Sequence, residues 1–218
     1  MTTPSPAVEH HGHGHHGATD PAVRLRLGRR AQRLAAVSVV YNLVEAAVAL
    51  SAGVVAGSVA LVGFGLDSVI EVSAGAIVWW QFRHRLPQSR ERQAQRLLAV
   101  SFAALAVYVL AESTRALVVG AEAEPSPVGV GIAVVSLCVM PFLAHAQRRT
   151  GRTLGSAAVV SGGAQTMLCT YLSAVLLVGL LLNGLAGWAW ADPVAGLVIA
   201  AVAAREAVSA WRGDACCS

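Results

Sequence analysis

The chain has 218 residues, 56% of them hydrophobic and only 13% charged, with a mean hydropathy of +0.61. A soluble domain carries about 25% charged residues, so this composition excludes an ordinary water-soluble enzyme and indicates a membrane protein built as one compact bundle. All 16 basic residues are arginine, and the net charge of +4 is spread in short blocks between apolar stretches, which fits membrane topology and argues against a nucleic-acid-binding groove.

Residues 1–30 read as a disordered, polar N-terminal tail. It holds His10, His11, His13, His15 and His16, a cluster able to capture Zn, Ni, Co or Cu ions or simply to be a solvated tail. Residues 31–211 are expected to form the transmembrane domain, with spans near 34–53, 58–82, 97–119, 128–146, 157–182 and 193–208. Each approaches the roughly 20 residues needed to cross the hydrocarbon. Residues 212–218 form a short tail with Cys216 and Cys217, which would be reduced in a cytoplasm. The expectation is an all-α membrane protein, a six-transmembrane-helix bundle with no soluble C-terminal domain.

Arginines mark one side of the membrane. They lie before the first span, between the second and third, between the fourth and fifth, and after the sixth. The connections near Gly53, Glu122 and Trp188 contain none. Positive loops stay inside, so both termini are expected in the cytoplasm, with the plasma (inner) membrane as the expected location.

The second span, SVALVGFGLDSVIE, carries Asp67 and Glu71 four residues apart, on one face of a helix. A charged side chain at mid-membrane costs roughly 2.5–3.5 kcal/mol on insertion scales, so two call for a compensating partner. A divalent cation would serve, and so would shared protons in a purely structural pair. Gln165 and Cys169 in the fifth span repeat the same spacing. Two helices, each presenting such a pair, can enclose one ion in a tetrahedral shell suited to d-block metals. Gln165 as interhelical glue and Cys169 as a packing residue are the plainer alternatives. Asn42 and Glu45, less than one turn apart in the first span, more often brace a neighbouring helix than touch a substrate, and are candidates for a supporting or pathway role. Glu112 and Arg115 are spaced to pair with each other, and Asp192 before Pro193 reads as an N-cap of the sixth helix.

Gly57-Ser58-Val59-Ala60-Leu61, then Leu66-Asp67-Ser68-Val69-Ile70-Glu71, together with Ala191-Asp192-Pro193, resemble the transmembrane part of the cation diffusion facilitator (cation efflux) family. The resemblance implies a six-span homodimer that exports divalent metal in exchange for protons. It also implies Asp67 as the first metal-binding carboxylate and Glu71 in place of the second. The fifth-span His-x-x-x-Asp of the family corresponds to Gln165 and Cys169 here, and the family's histidine-containing motif between the second and third spans is absent. The metal is left among Zn, Co, Ni, Fe, Cd and Mn.

The expected function is therefore a secondary transporter of a divalent transition metal, with lipid, metal ion and protons as partners and no resident cofactor. A non-transporting membrane metal sensor or scaffold is the alternative. No Gly-x-x-x-x-Gly-Lys loop, no His-Glu-x-x-His and no lysine occur, so neither ATP-driven transport nor an intramembrane metalloenzyme is expected.

Overall fold

A computed structural model describes residues 21–83 and 88–212. They form six helices: α1 (Pro21–Ala56), α2 (Val59–Arg83), α3 (Gln88–Val119), α4 (Pro127–Leu154), α5 (Ala157–Ala186) and α6 (Ala191–Arg212). All six are long and apolar enough to cross a membrane, and no strand occurs among the described residues. The histidine cluster and the two C-terminal cysteines lie outside the described residues.

Several helices outrun the apolar stretches that announce them. Residues 21–30, expected in the tail, are the first turns of α1. The physical reason is cooperativity: once lipid fixes a helix, each added residue needs no new nucleus, and the Ala, Leu and Arg of this segment are good helix formers. The arginine-bearing ends of α1 and α4 continue in the same way beyond their apolar runs.

Helices α1 and α2 form one hairpin and α4 and α5 another. The hairpins face each other through α1–α4 and α2–α5 contacts, while α3 and α6 pair with each other and lean on α2, with α6 also touching α5. Leu61, Phe64, Met140, Leu176 and Ile199 fill the centre, and Phe102, Leu105, Val109 and Ala203 fill the space between α3, α6 and α2. Val40, Leu43, Val107, Val135 and Val178 point outward, as apolar side chains do where acyl chains replace water. Polar side chains are gathered inside, because a bilayer offers them no partner.

The two hairpins share a local pattern. Gly53, Gly57, Ser58, Val62 and Gly65 recur, at one constant offset, as Gly151, Gly155, Ser156, Val160 and Gly163. The geometry recurs with them. Gly57 and Gly155 both turn the chain at φ 64°. The Ser58 N–H donates to Gly53 O at 3.0 Å and the Ser156 N–H to Gly151 O at 2.9 Å. A Cβ on Gly53 would lie 2.8 Å from Val62 N, and one on Gly151 would lie 2.8 Å from Val160 N. Gly65 packs on the backbone of Leu50 as Gly163 packs on that of Arg148. Successive spanning helices alternate in direction, so these turns fall on opposite membrane faces and the hairpins are inverted copies. The same offset carries Asp67 onto Gln165, Ser68 onto Thr166 and Glu71 onto Cys169.

Asp192 corrects one expectation. It stands inside the first turn of α6 and caps a different helix. Its Oδ1 accepts from Ser58 Oγ at 2.5 Å and its Oδ2 from the Val59 N–H at 2.9 Å. The Ser58 Oγ in turn accepts from the Leu61 N–H at 3.1 Å. The first turn of α2 has orphan N–H groups and a positive dipole end, and a carboxylate from α6 satisfies both. The start of α2 is thereby fixed to α6.

Two stability predictions follow from this geometry. Gly57→Ala and Gly155→Ala are each expected to cost about 1 kcal/mol, and to cost nearly the same, because both force a side chain into a left-handed turn with nothing within 4 Å of the new Cβ. Gly131→Ala, equally open but helical, is expected to be neutral or slightly stabilising. Thermal unfolding of the purified protein in nanodiscs checks all three, and unequal costs for the two turns would contradict their equivalence. Asp192→Ala is expected to cost about 1–3 kcal/mol, and Asp192→Asn less, since an amide oxygen can still accept from the Val59 N–H while its N–H₂ donates to Ser58 Oγ; a fully stable Asp192→Ala protein in the same melt would speak against the cap.

Candidate metal site

Asp67 and Glu71 project from one face of α2 toward α5. Counting about 1.5 Å per residue from the start of α2, they sit about 12 and 18 Å along it, and so straddle the middle of a hydrocarbon core about 30 Å thick. Both are buried, each 6% exposed. From α5, Cys169 reaches the same place and is fully buried. One ligand atom each from Asp67, Glu71 and Cys169 lie within 4.8 Å of one another. Metal–ligand bonds of about 2.0–2.3 Å put tetrahedral donors about 3.3–3.8 Å apart. The trio therefore needs only a small inward adjustment to hold one ion.

Gln165 lies one turn N-terminal to Cys169 on the same face of α5 and is half-buried. Among the described residues no hydrogen bond joins it to the trio. The repeat gives its position independent meaning, since it is the counterpart of Asp67 in the other hairpin.

The first helix comes closer than expected. Asn42 donates from Nδ2 to Glu71 Oε2 at 2.7 Å. Glu45 is fully buried and accepts from Ser68 Oγ at 2.8 Å, from Ser136 Oγ and, weakly, from Cys169 Sγ at 3.9 Å. Tyr41 Oη and Ser136 Oγ are 2.8 Å apart. Ser136 has one proton and gives it to Glu45, so Tyr41 is the donor in that contact. Ser68, Ser136 and Tyr41 are the residues that sequence reasoning missed. Ser68 follows Asp67 directly, and Ser136 is a polar break in the apolar run of α4; both were visible as signals without an obvious partner.

Among the described residues four carboxyl groups are buried, and they are treated in two ways. Asp192 and Glu45 are each surrounded by donors. Asp67 accepts no hydrogen bond among the described residues, and Glu71 accepts one strong bond, from Asn42. Nor do Asp67 and Glu71 have a basic partner among the described residues. Among the described residues the ion pair is Glu112–Arg115 at 3.0 Å, the expected pairing within α3. A buried carboxylate left with few donors is costly, whereas a cation between two of them relieves both. Cys138, on the outer face of α4, is exposed and takes no part.

Two hard carboxylates and one soft thiol form a mixed donor set. It suits first-row d-block ions and zinc better than magnesium or calcium, which require six or more oxygens.

The family model for the cation efflux transmembrane domain matches residues 35–212. It covers all of α2 to α6 and α1 from residue 35 onward, and so includes every residue of the buried polar cluster. No curated protein matches the chain. Six spanning helices and a match across most of the chain make this an integral, multi-pass membrane protein of the cation efflux family, a family of metal cation transporters.

Proposed function

We propose that the protein exports a divalent transition-metal ion from the cytoplasm in exchange for protons, with Asp67, Glu71 and Cys169 as the seat of the ion. The observation that carries this reading is the contrast among the buried acids. Glu45 and Asp192 are satisfied by the protein itself, whereas Asp67 and Glu71 lie beside a buried thiol with almost no donors and no basic partner among the described residues. A dication supplies the missing positive charge.

Proton coupling follows from the ligands. Metal binds deprotonated carboxylate and thiolate groups, so ion and protons compete for the same atoms. At lower pH fewer of these groups are deprotonated, and affinity falls. An ion that binds from a neutral cytoplasm is therefore released toward a more acidic exterior, and the protons that displace it return inward. Two carboxylates this close repel, so in the absence of metal they titrate as a pair. The inverted hairpins give the two-sided access such a cycle needs, one hairpin turning at each membrane face around a site at mid-depth. The arginine distribution supports both termini in the cytoplasm. Gln165 remains a candidate donor as the repeat counterpart of Asp67. The histidines His10, His11, His13, His15 and His16 would act as an auxiliary capture tail, and a homodimer is the expected assembly.

The test is transport into proteoliposomes with a metal-sensing dye inside. Uptake of Co²⁺ or Zn²⁺ is expected to accelerate when the lumen is made acidic and to vanish in Asp67→Asn. Wild-type flux in Asp67→Asn removes the proposal, and tight binding with no flux in the wild-type protein replaces the transporter with a metal sensor.

A further inference from the structure

Asn42 is held at the site by one end of its amide only. It is 2% exposed, and its Nδ2 donates to Glu71 Oε2 at 2.7 Å. Its Oδ1 is buried and has no hydrogen-bond partner among the described residues. Exchanging the two ends does not suit the ionised Glu71 that a metal requires, because the flipped amide would set Oδ1 against a carboxylate oxygen, acceptor facing acceptor. The protein therefore spends an unsatisfied carbonyl oxygen next to Glu71, where buried acceptors are almost always paired. Carboxamide oxygens are good metal ligands, and Oδ1 shares a carbon with the nitrogen that touches Glu71. The oxygen is thus kept in the neighbourhood of Glu71, one of the trio.

We propose that Asn42 Oδ1 is the fourth donor to the ion, an inference that rests on reading that trio as the metal seat. The ion would then be held from three helices: α1 through Asn42, α2 through Asp67 and Glu71, and α5 through Cys169. One amide does two jobs. Its N–H₂ orients Glu71, and its carbonyl completes a shell of three oxygens and one sulfur. Gln165, half-buried and not bonded to the trio, is not required to close that shell.

The experiment uses the full chain in nanodiscs and Co²⁺ as the probe. Visible ligand-field bands report coordination number, and the near-ultraviolet sulfur-to-cobalt band reports Cys169. Asn42→Ala is expected to keep the sulfur band, to weaken the ligand-field bands as water enters, and to lose roughly tenfold or more in affinity. Asn42→Asp decides between the two jobs of the amide. It keeps an oxygen donor but loses the hydrogen bond to Glu71, so a ligand role predicts affinity equal to or above wild type with four-coordinate bands. A role in orienting Glu71 alone predicts the reverse, because two carboxylates would then face each other. Asn42→Asp binding more weakly than Asn42→Ala overturns the inference, as do unchanged bands in Asn42→Ala or the same loss of intensity produced by Gln165→Ala. Asp67→Asn separates the levels of failure. If the wild-type chain takes up no Co²⁺, or Asp67→Asn binds it as well, the metal seat itself is wrong. If Asp67→Asn abolishes binding while Asn42→Ala changes nothing, only the fourth donor is wrong.

Discussion

A carboxylate inside a bilayer has few ways to persist: it can collect hydrogen-bond donors, face a cation or give up its charge. The bundle supplies donors generously to Asp192 and Glu45 and withholds them from Asp67 and Glu71. That uneven treatment organises the interior. The serines and the tyrosine serve Glu45, the start of α2 serves Asp192, and the middle of α2 is left with two sparsely bonded acids facing a thiol. Glycines let the helices approach closely enough for these small polar groups to touch across helix boundaries.

The inverted hairpins add a constraint of their own. Equivalent turns and equivalent glycine contacts bring the paired positions of α2 and α5 to matching depth from opposite faces. The chemistry placed at those positions is unequal. One hairpin carries both acids, and the other carries an amide and a thiol. Charge is thus a property of α2, and softness a property of α5.

Much of this was legible in the sequence because the bilayer makes its demands one helix at a time. Apolar length shows the six spans, and the i, i+4 spacing puts Asp67 above Glu71 before any fold is known. Glu112 and Arg115 pair as their spacing suggests, since both lie on one helix. Contacts between helices were harder to read. Asp192 looked like the cap of its own helix because a local rule describes it well, yet its partners are more than a hundred residues away at the start of α2. Asn42 and Glu45 have no local signature that separates a brace from a site residue. Only the rotation of α1 against α2 and α4 decides that. The repeat was available in Gly-x-x-x-Gly-Ser at both hairpins, but small residues are common in membrane helices, and the match gains force only when the contacts are seen to coincide.

The Asp192 clasp also limits how the molecule can move. With the first turn of α2 fastened to α6 by Ser58 and the backbone of Val59, and α6 packed along α3, a tilt of the acid-bearing helix drags the bundle's flank with it. That flank is bordered by lipid. The thickness and lateral pressure of the surrounding bilayer therefore bear mechanically on the helix that carries the two acids, and the membrane itself becomes a load on any movement of that helix.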